Sequence, residues 1–202
     1  MEIIESNMRF LYPDNQSYWV EKHGLVSDME GIKSCEVFTL IKGKLVMIEA
    51  KSSSPRPDNN VEFDEFIAEV GQKFIDTLLF YNAAMMERYS KDYKQGFPAK
   101  LQKQSLKDIQ YSLCLIIYGH QDRYMPPIQD ALRNHLRNVL KLWNIPDINV
   151  LALNHENAKN KGLISQYLPK PQLDEFKNQG LKDESLIVKV KQWFVDNPVA
   201  MP

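Results

Sequence analysis

Two apolar stretches, separated only by Lys42-Gly43, dominate the hydrophobic pattern of the chain between Ser34 and Ser53. The first runs through Val37, Phe38, Leu40 and Ile41; the second is the unbroken Leu45-Val46-Met47-Ile48. Short runs rich in β-branched residues predict strands. Gly43 can adopt positive φ, so it predicts a tight hairpin between them. Pairing Ile41 with Lys44 then sets Leu40 against Leu45, Phe38 against Met47 and Glu36 against Glu49. Side chains alternate along a strand, so Glu49 and Lys51 share one face. Glu36 lies across from Glu49 on that face, with Cβ atoms about 5 Å apart. A bulge at Gly43 would shift the register by one residue and part the two acids.

Further along, Phe63, Ile67, Val70, Phe74, Leu78 and Tyr81 recur every three or four residues. That stripe predicts a long helix from Val61 to about Ser90. It follows a loop rich in turn formers, Ser52 to Asn60, in which Pro55 and Pro57 stop the strand. Glu65, Glu69, Gln72 and Asp76 line another face of the helix. Tyr111 to Tyr118 is almost continuously apolar, which predicts a central strand covered on both faces. Pro126-Pro127 opens a helix to about Trp143, and Ile148 to Leu153 is a further strand. The periodicity of residues 184–197 predicts a terminal amphipathic helix, and residues 154–182 read as loop with short helical turns. Near the N-terminus, Met8 to Tyr12 is a short strand candidate, and Ser17 to Lys22 a strand or helical turn.

Helices alternating with strands after residue 60 predict an α/β fold with a central mixed β-sheet flanked by helices. With 202 residues, 44% hydrophobic and 25% charged, one domain is expected. No apolar run approaches the ~18 residues of a membrane span, and the acidic N-terminus lacks a signal-peptide core. Cys35 and Cys114 sit in apolar strand candidates and read as buried thiols, which points to a reducing cytoplasm. The formal net charge of −1 excludes coating of nucleic acid by bulk charge. Local basic stretches remain. Lys91 and Lys94 lie among Tyr89, Tyr93 and Phe97, and Arg133, Arg137 and Lys141 form a stripe at four-residue steps. Both are candidate contacts to nucleic acid, through phosphates and stacked bases; a solvated surface is the rival reading of each.

Glu36, the short hairpin and Glu49-Ala50-Lys51 together resemble the core of the PD-(D/E)xK nucleases, the restriction-endonuclease-like superfamily. The tripeptide pattern occurs three times, also as Asp92-Tyr93-Lys94 and Glu175-Phe176-Lys177. Only the first ends an apolar strand with an acid placed opposite. The first acid of that family is usually Asp, and here it is Glu36. The resemblance implies a restriction-endonuclease-like core over about residues 15–155 and a C-terminal helical extension over 156–202. It implies Mg²⁺ or Mn²⁺ held by Glu36, Glu49 and the Ala50 carbonyl, with a helix-borne acid before the hairpin, for which Glu21 and Glu5 are candidates. It implies that Lys51 positions water and stabilises charge on phosphate, and that Gln72 or Lys73 points back from the long helix. The implied activity is that of a metal-dependent endodeoxyribonuclease hydrolysing phosphodiester bonds in DNA, acting as a dimer or beside a motor or recognition subunit. Two alternatives stand beside it. One is the same fold without catalysis, binding protein or nucleic acid. The other is an unrelated α/β domain in which Glu36 and Lys51 form a surface ion pair, worth at most about 1 kcal/mol.

Overall fold

The computed structural model describes residues 1–20, 29–89 and 91–199. Its centre is a five-stranded mixed sheet in the order β3-β4-β5-β6-β7. These strands are Ser17–Trp19, Val37–Ile41, Lys44–Lys51, Gln110–Ile117 and Val150–Asn154. β3, β4 and β5 pair antiparallel, whereas β5-β6 and β6-β7 are parallel. The hairpin register is the one expected: Ile41 pairs with Lys44, Leu40 with Leu45 and Phe38 with Met47. Lys42 and Gly43 both take positive φ, 49° and 78°, as the twist of a two-residue hairpin requires. β6 is buried from Tyr111 to Ile117, as its apolar run predicts.

Helices α1 (Asn60–Met85), α2 (Ala99–Gln102) and α3 (Met125–Leu142) follow the hairpin in order. α1 and α3 form the crossovers of the parallel strands and cover one face of the sheet. The alternation along β5 explains the layering. Leu45 and Met47 belong to the core shared with α1 and α3. Val46, Ile48 and Ala50 belong to a second core on the opposite face. All six positions of the α1 stripe are buried. Within the first core Phe38 lies among Tyr18, Tyr81 and Phe97, with ring centroids 5.1 to 5.5 Å away.

α1 ends at Met85, short of the expected Ser90. Glu87 adopts φ 56°, and the amides of Glu87 and Arg88 turn back to the carbonyls of Ala84 and Ala83. This is a Schellman closure with Glu where glycine is usual.

The second face joins the expected strand at Met8 and the expected terminal helix to elements that local patterning did not reveal. β1 (Glu2–Glu5) and β2 (Met8–Leu11) form a hairpin, and β8 (Gln166–Tyr167) adds to β2 through Met8↔Tyr167. Helices α4 (His155–Asn160), α5 (Lys170–Asn178) and α6 (Asp183–Asp196) complete this layer. Arg9 ties it together: its guanidinium donates to the Phe194 carbonyl at the end of α6 and faces Glu2 at 2.8 Å. Both cysteines are buried free thiols. Among the described residues no helix is long and apolar enough to cross a membrane.

Removing the Phe38 ring leaves a cavity that three neighbouring rings cannot collapse to fill. Phe38→Ala is expected to lower unfolding free energy by about 3–5 kcal/mol. Urea denaturation checks this value.

Candidate functional site

β5 runs out of the core at Glu49, and three side chains from two elements meet there. Glu49 is fully buried. Its Oε1 accepts a hydrogen bond from Lys73 Nζ at 2.7 Å and faces Lys51 Nζ at 3.3 Å. Lys51 also donates to Glu69 Oε1 at 2.8 Å. The resulting chain is Lys73–Glu49–Lys51–Glu69, with the two lysines converging on one carboxylate oxygen. The other oxygen, Glu49 Oε2, is buried and meets no hydrogen-bond partner among the described residues.

Burial is the dominant influence on Glu49, and it pushes the carboxyl above its usual range against the pull of Lys73 and then Lys51. Glu69 shows the opposite behaviour. The hydrogen bond from Lys51, more than the attraction of the surrounding lysines, holds its half-exposed carboxyl below the usual range. Of the two lysines, Lys51 has the more exposed side chain, at 24% against 16% for Lys73.

The end of β4 is held away from β5 by α1. Strand pairing stops at Val37↔Ile48, one step short of Glu36 and Glu49. The Cys35 amide donates to Thr77 Oγ1, and the Lys33 amide to Asp76 Oδ2, both at 2.9 Å. Glu36 therefore sits just past the ladder, 6% exposed, with its carbonyl accepting from the Val20 amide. The two acids are buried, so the surface ion-pair reading does not describe them.

Ala50 completes the oxygen set. The Lys51 carbonyl accepts from the Tyr118 amide on the β6 side. Successive carbonyls alternate across a strand, so the Ala50 carbonyl points toward β4, beyond the point where that ladder ends. Glu36, Glu49 Oε2 and this carbonyl are hard oxygen donors of the kind Mg²⁺ takes. Glu49 Oε2, buried and without a hydrogen-bond partner among the described residues, is the oxygen of this set that could face such an ion. Among the described residues no three His, Cys, Asp or Glu side chains group as a metal cluster.

The remaining sequence candidates fall elsewhere. Gln72 is exposed and donates to Asp76 Oδ1 at 2.6 Å, so it buttresses the residue that holds the Lys33 amide. Lys73 is the helix residue that reaches Glu49. Helix phase distinguishes the two, because at 3.6 residues per turn Gln72 lies about 160° from the centre of the apolar stripe and Lys73 about 100°. Glu21 lies outside the described residues. Glu5 ends β1 in the layer on the other side of the sheet, where its carboxylate accepts from the Ser6 amide and hydroxyl.

The basic stretches are largely engaged within the fold. Lys94 pairs with Glu87 at 2.6 Å, and Lys91 lies 5.3 Å over the Tyr93 ring. Tyr93 and Phe97 are buried against Phe80, so they pack the core rather than offer stacking faces. Arg133 donates to the carbonyls of Asp147 and Val150. Arg137 and Lys141 line an open groove with Pro146 and Asp147, at the N-terminal end of β7. Glu49 and Lys51 lie at the opposite, C-terminal ends of the parallel strands.

No family model, curated protein or solved structure matches this chain.

The raised Glu49 pKa carries a defined pH dependence. The folded state keeps this proton where the unfolded chain has released it. The carboxyl's stabilisation is therefore full below the ordinary carboxylate range and is lost as pH rises through it toward the raised value. Relative to Glu49→Gln, the wild type should lose stability as pH rises above the ordinary carboxylate range, about pH 4. Urea midpoints of both proteins from that range upward test this; a constant difference would contradict the assigned effect of burial.

Proposed function

We propose that this protein is a metal-dependent nuclease that hydrolyses phosphodiester bonds in DNA, with a PD-(D/E)xK-type site at the end of β5. The observation that carries the reading is the state of Glu49. A carboxylate buried at the end of a central strand has one oxygen saturated by two ammonium groups and the other without a partner. Glu36 sits one step past the β4–β5 ladder, the Ala50 carbonyl follows Glu49 in the strand, and Lys51 comes two residues later on the same face.

Glu36, Glu49 and the Ala50 carbonyl would hold Mg²⁺ or Mn²⁺. When bound, such an ion polarises the phosphate and lowers the pKa of its water. The protein's own groups have separate tasks. Lys73, the more sheltered ammonium, pulls the Glu49 carboxyl back toward ionisation against the larger effect of burial. Lys51 is the more exposed of the two. It stands where a phosphate approaching Glu49 from solvent would meet a cation, and it stabilises charge developing on that phosphate. Its contacts to Glu49 and Glu69 hold the Lys51 side chain in place, which suits electrostatic stabilisation of charge on the phosphate. Glu69 holds Lys51 at the mouth of the site.

The same geometry also supports a rival reading, in which the fold binds protein or nucleic acid without cleaving it. The observation in its favour is that two ammonium groups already neutralise Glu49.

Calorimetric titration of Mn²⁺ and Mg²⁺ into wild type and Glu49→Gln, with nicking of supercoiled DNA on the same samples, separates the two. Under the nuclease reading wild type binds metal and nicks, and Glu49→Gln does neither. Metal affinity should also rise with pH as Glu49 loses its proton. Wild type that binds no metal even with DNA present would sink the catalytic reading. Lys51→Met is expected to retain Mn²⁺ binding while nicking falls by about 10²–10³-fold, the loss typical of removing one group that stabilises transition-state charge.

A further inference from the structure

A cleft of about 730 Å³ opens off the carboxyl ends of β5 and β6, on the face of the sheet away from α1. Its size is that of a small-ligand site. Ser52 and Ser53, which directly follow Lys51, form part of its floor, together with Gly119 and His120 after β6. One wall is aliphatic, made by Leu173 of α5 and by Leu186, Ile187 and Val190 of α6. Ile187 is 53% exposed there.

Charge around the rim is uneven in its availability. Glu5 accepts from Ser6, and Asp174 is paired with Lys170 at 3.0 Å. Asp183 opens the first turn of α6. Lys177 and Lys191 also line the cleft, and neither has an ion-pair partner among the described residues. His120 is fixed by Ser54 Oγ at 3.0 Å from Nε2. Burial, with Arg56 nearby, holds its pKa below the usual range. At neutral pH it therefore offers a flat uncharged hydrogen-bonding ring. An aliphatic wall, hydroxyls on the floor and two available cations match a flat base attached to a phosphate. Nucleobases taken out of a stack are held between apolar side chains in this way, and single strands follow positively charged grooves.

We propose that this cleft receives an unpaired nucleotide of a DNA strand whose adjoining phosphate lies at Glu49 and Lys51. The inference rests on the nuclease reading of that site and adds a substrate class to it: DNA with a single-stranded segment or overhang. The continuity of Lys51 with Ser52 and Ser53 lets one strand cross the ends of β5 and β6 from the site into the cleft. A base-paired duplex does not fit a cleft of this size.

The test is fluorescence anisotropy in EDTA, where no cleavage is needed, with a short labelled oligothymidylate and a duplex of equal length. Wild type should prefer the single strand. Lys177→Glu with Lys191→Glu should weaken single-strand binding by about tenfold or more, because two cations that neutralise phosphates become anions that repel them. Ile187→Asn should weaken it without changing its salt dependence, and thermal melting should show both variants folded. Single-strand affinity unchanged in both variants would overturn the proposal. So would equal losses for duplex and single strand, or binding of free thymidine monophosphate that fails to compete with the strand. Nicking by wild type with a cleft that ignores the strand would fail this inference alone; strand binding without metal binding would fail only the catalytic reading.

Discussion

Taking the Glu49 carboxylate out of water is the constraint on which the rest of the site depends. A buried carboxylate without partners is strongly disfavoured. Here two ammonium groups, one from β5 and one from α1, face the same oxygen at 3.3 and 2.7 Å. One of those partners is supplied by a helix that packs on the sheet through an apolar stripe. α1 must therefore dock in one rotational phase to bury its stripe and deliver Lys73 together. Packing and electrostatics are satisfied by a single placement, so the core and the site cannot be changed independently.

The same helix also opens the sheet. Asp76 and Thr77 take the amides of Lys33 and Cys35, and those amides no longer extend the ladder toward β5. The ladder ends at Val37 and Ile48, one step before Glu36 and Glu49, and the Ala50 carbonyl is aimed past that end. Parallel strands in α/β folds expose their working groups at their carboxyl ends. Here that edge holds Lys51 on one face and the Ser52-Ser53 cleft on the other. The charges that look suited to nucleic acid along the chain are mostly engaged inside the fold, as with Arg133 and Lys94. The cations at Glu49 belong to α1 and β5, and those lining the cleft to the two C-terminal helices.

The central hairpin, α1, β6 and α3 were legible because each is specified by neighbours in sequence. Hydrophobic alternation sets Phe38 against Met47 once Lys42-Gly43 closes the turn, and a 3.6-residue stripe specifies a helix face whatever it packs on. Helix phase also held the information that separates Lys73 from Gln72, although the resemblance pointed to both. The small sheet was legible only in its strand at Met8. β8 is two residues long, and its partner Met8 lies at the other end of the chain, so no local period marks it.

By itself, then, the sequence determined the α/β order of elements, the hairpin register and the placing of an acid and a lysine on one strand face. These follow from periodicities of two and 3.6 residues acting over short separations. The tertiary structure alone decided which aromatics are core and which charges are engaged, as with Tyr93 behind Phe80 and Lys94 on Glu87. It also decided that Glu49 keeps one oxygen open and that Ser52-Ser53 floor a cleft walled by α5 and α6. Those outcomes depend on which distant surfaces exclude water from a side chain, and water exclusion is a property of the packed fold rather than of any stretch of chain.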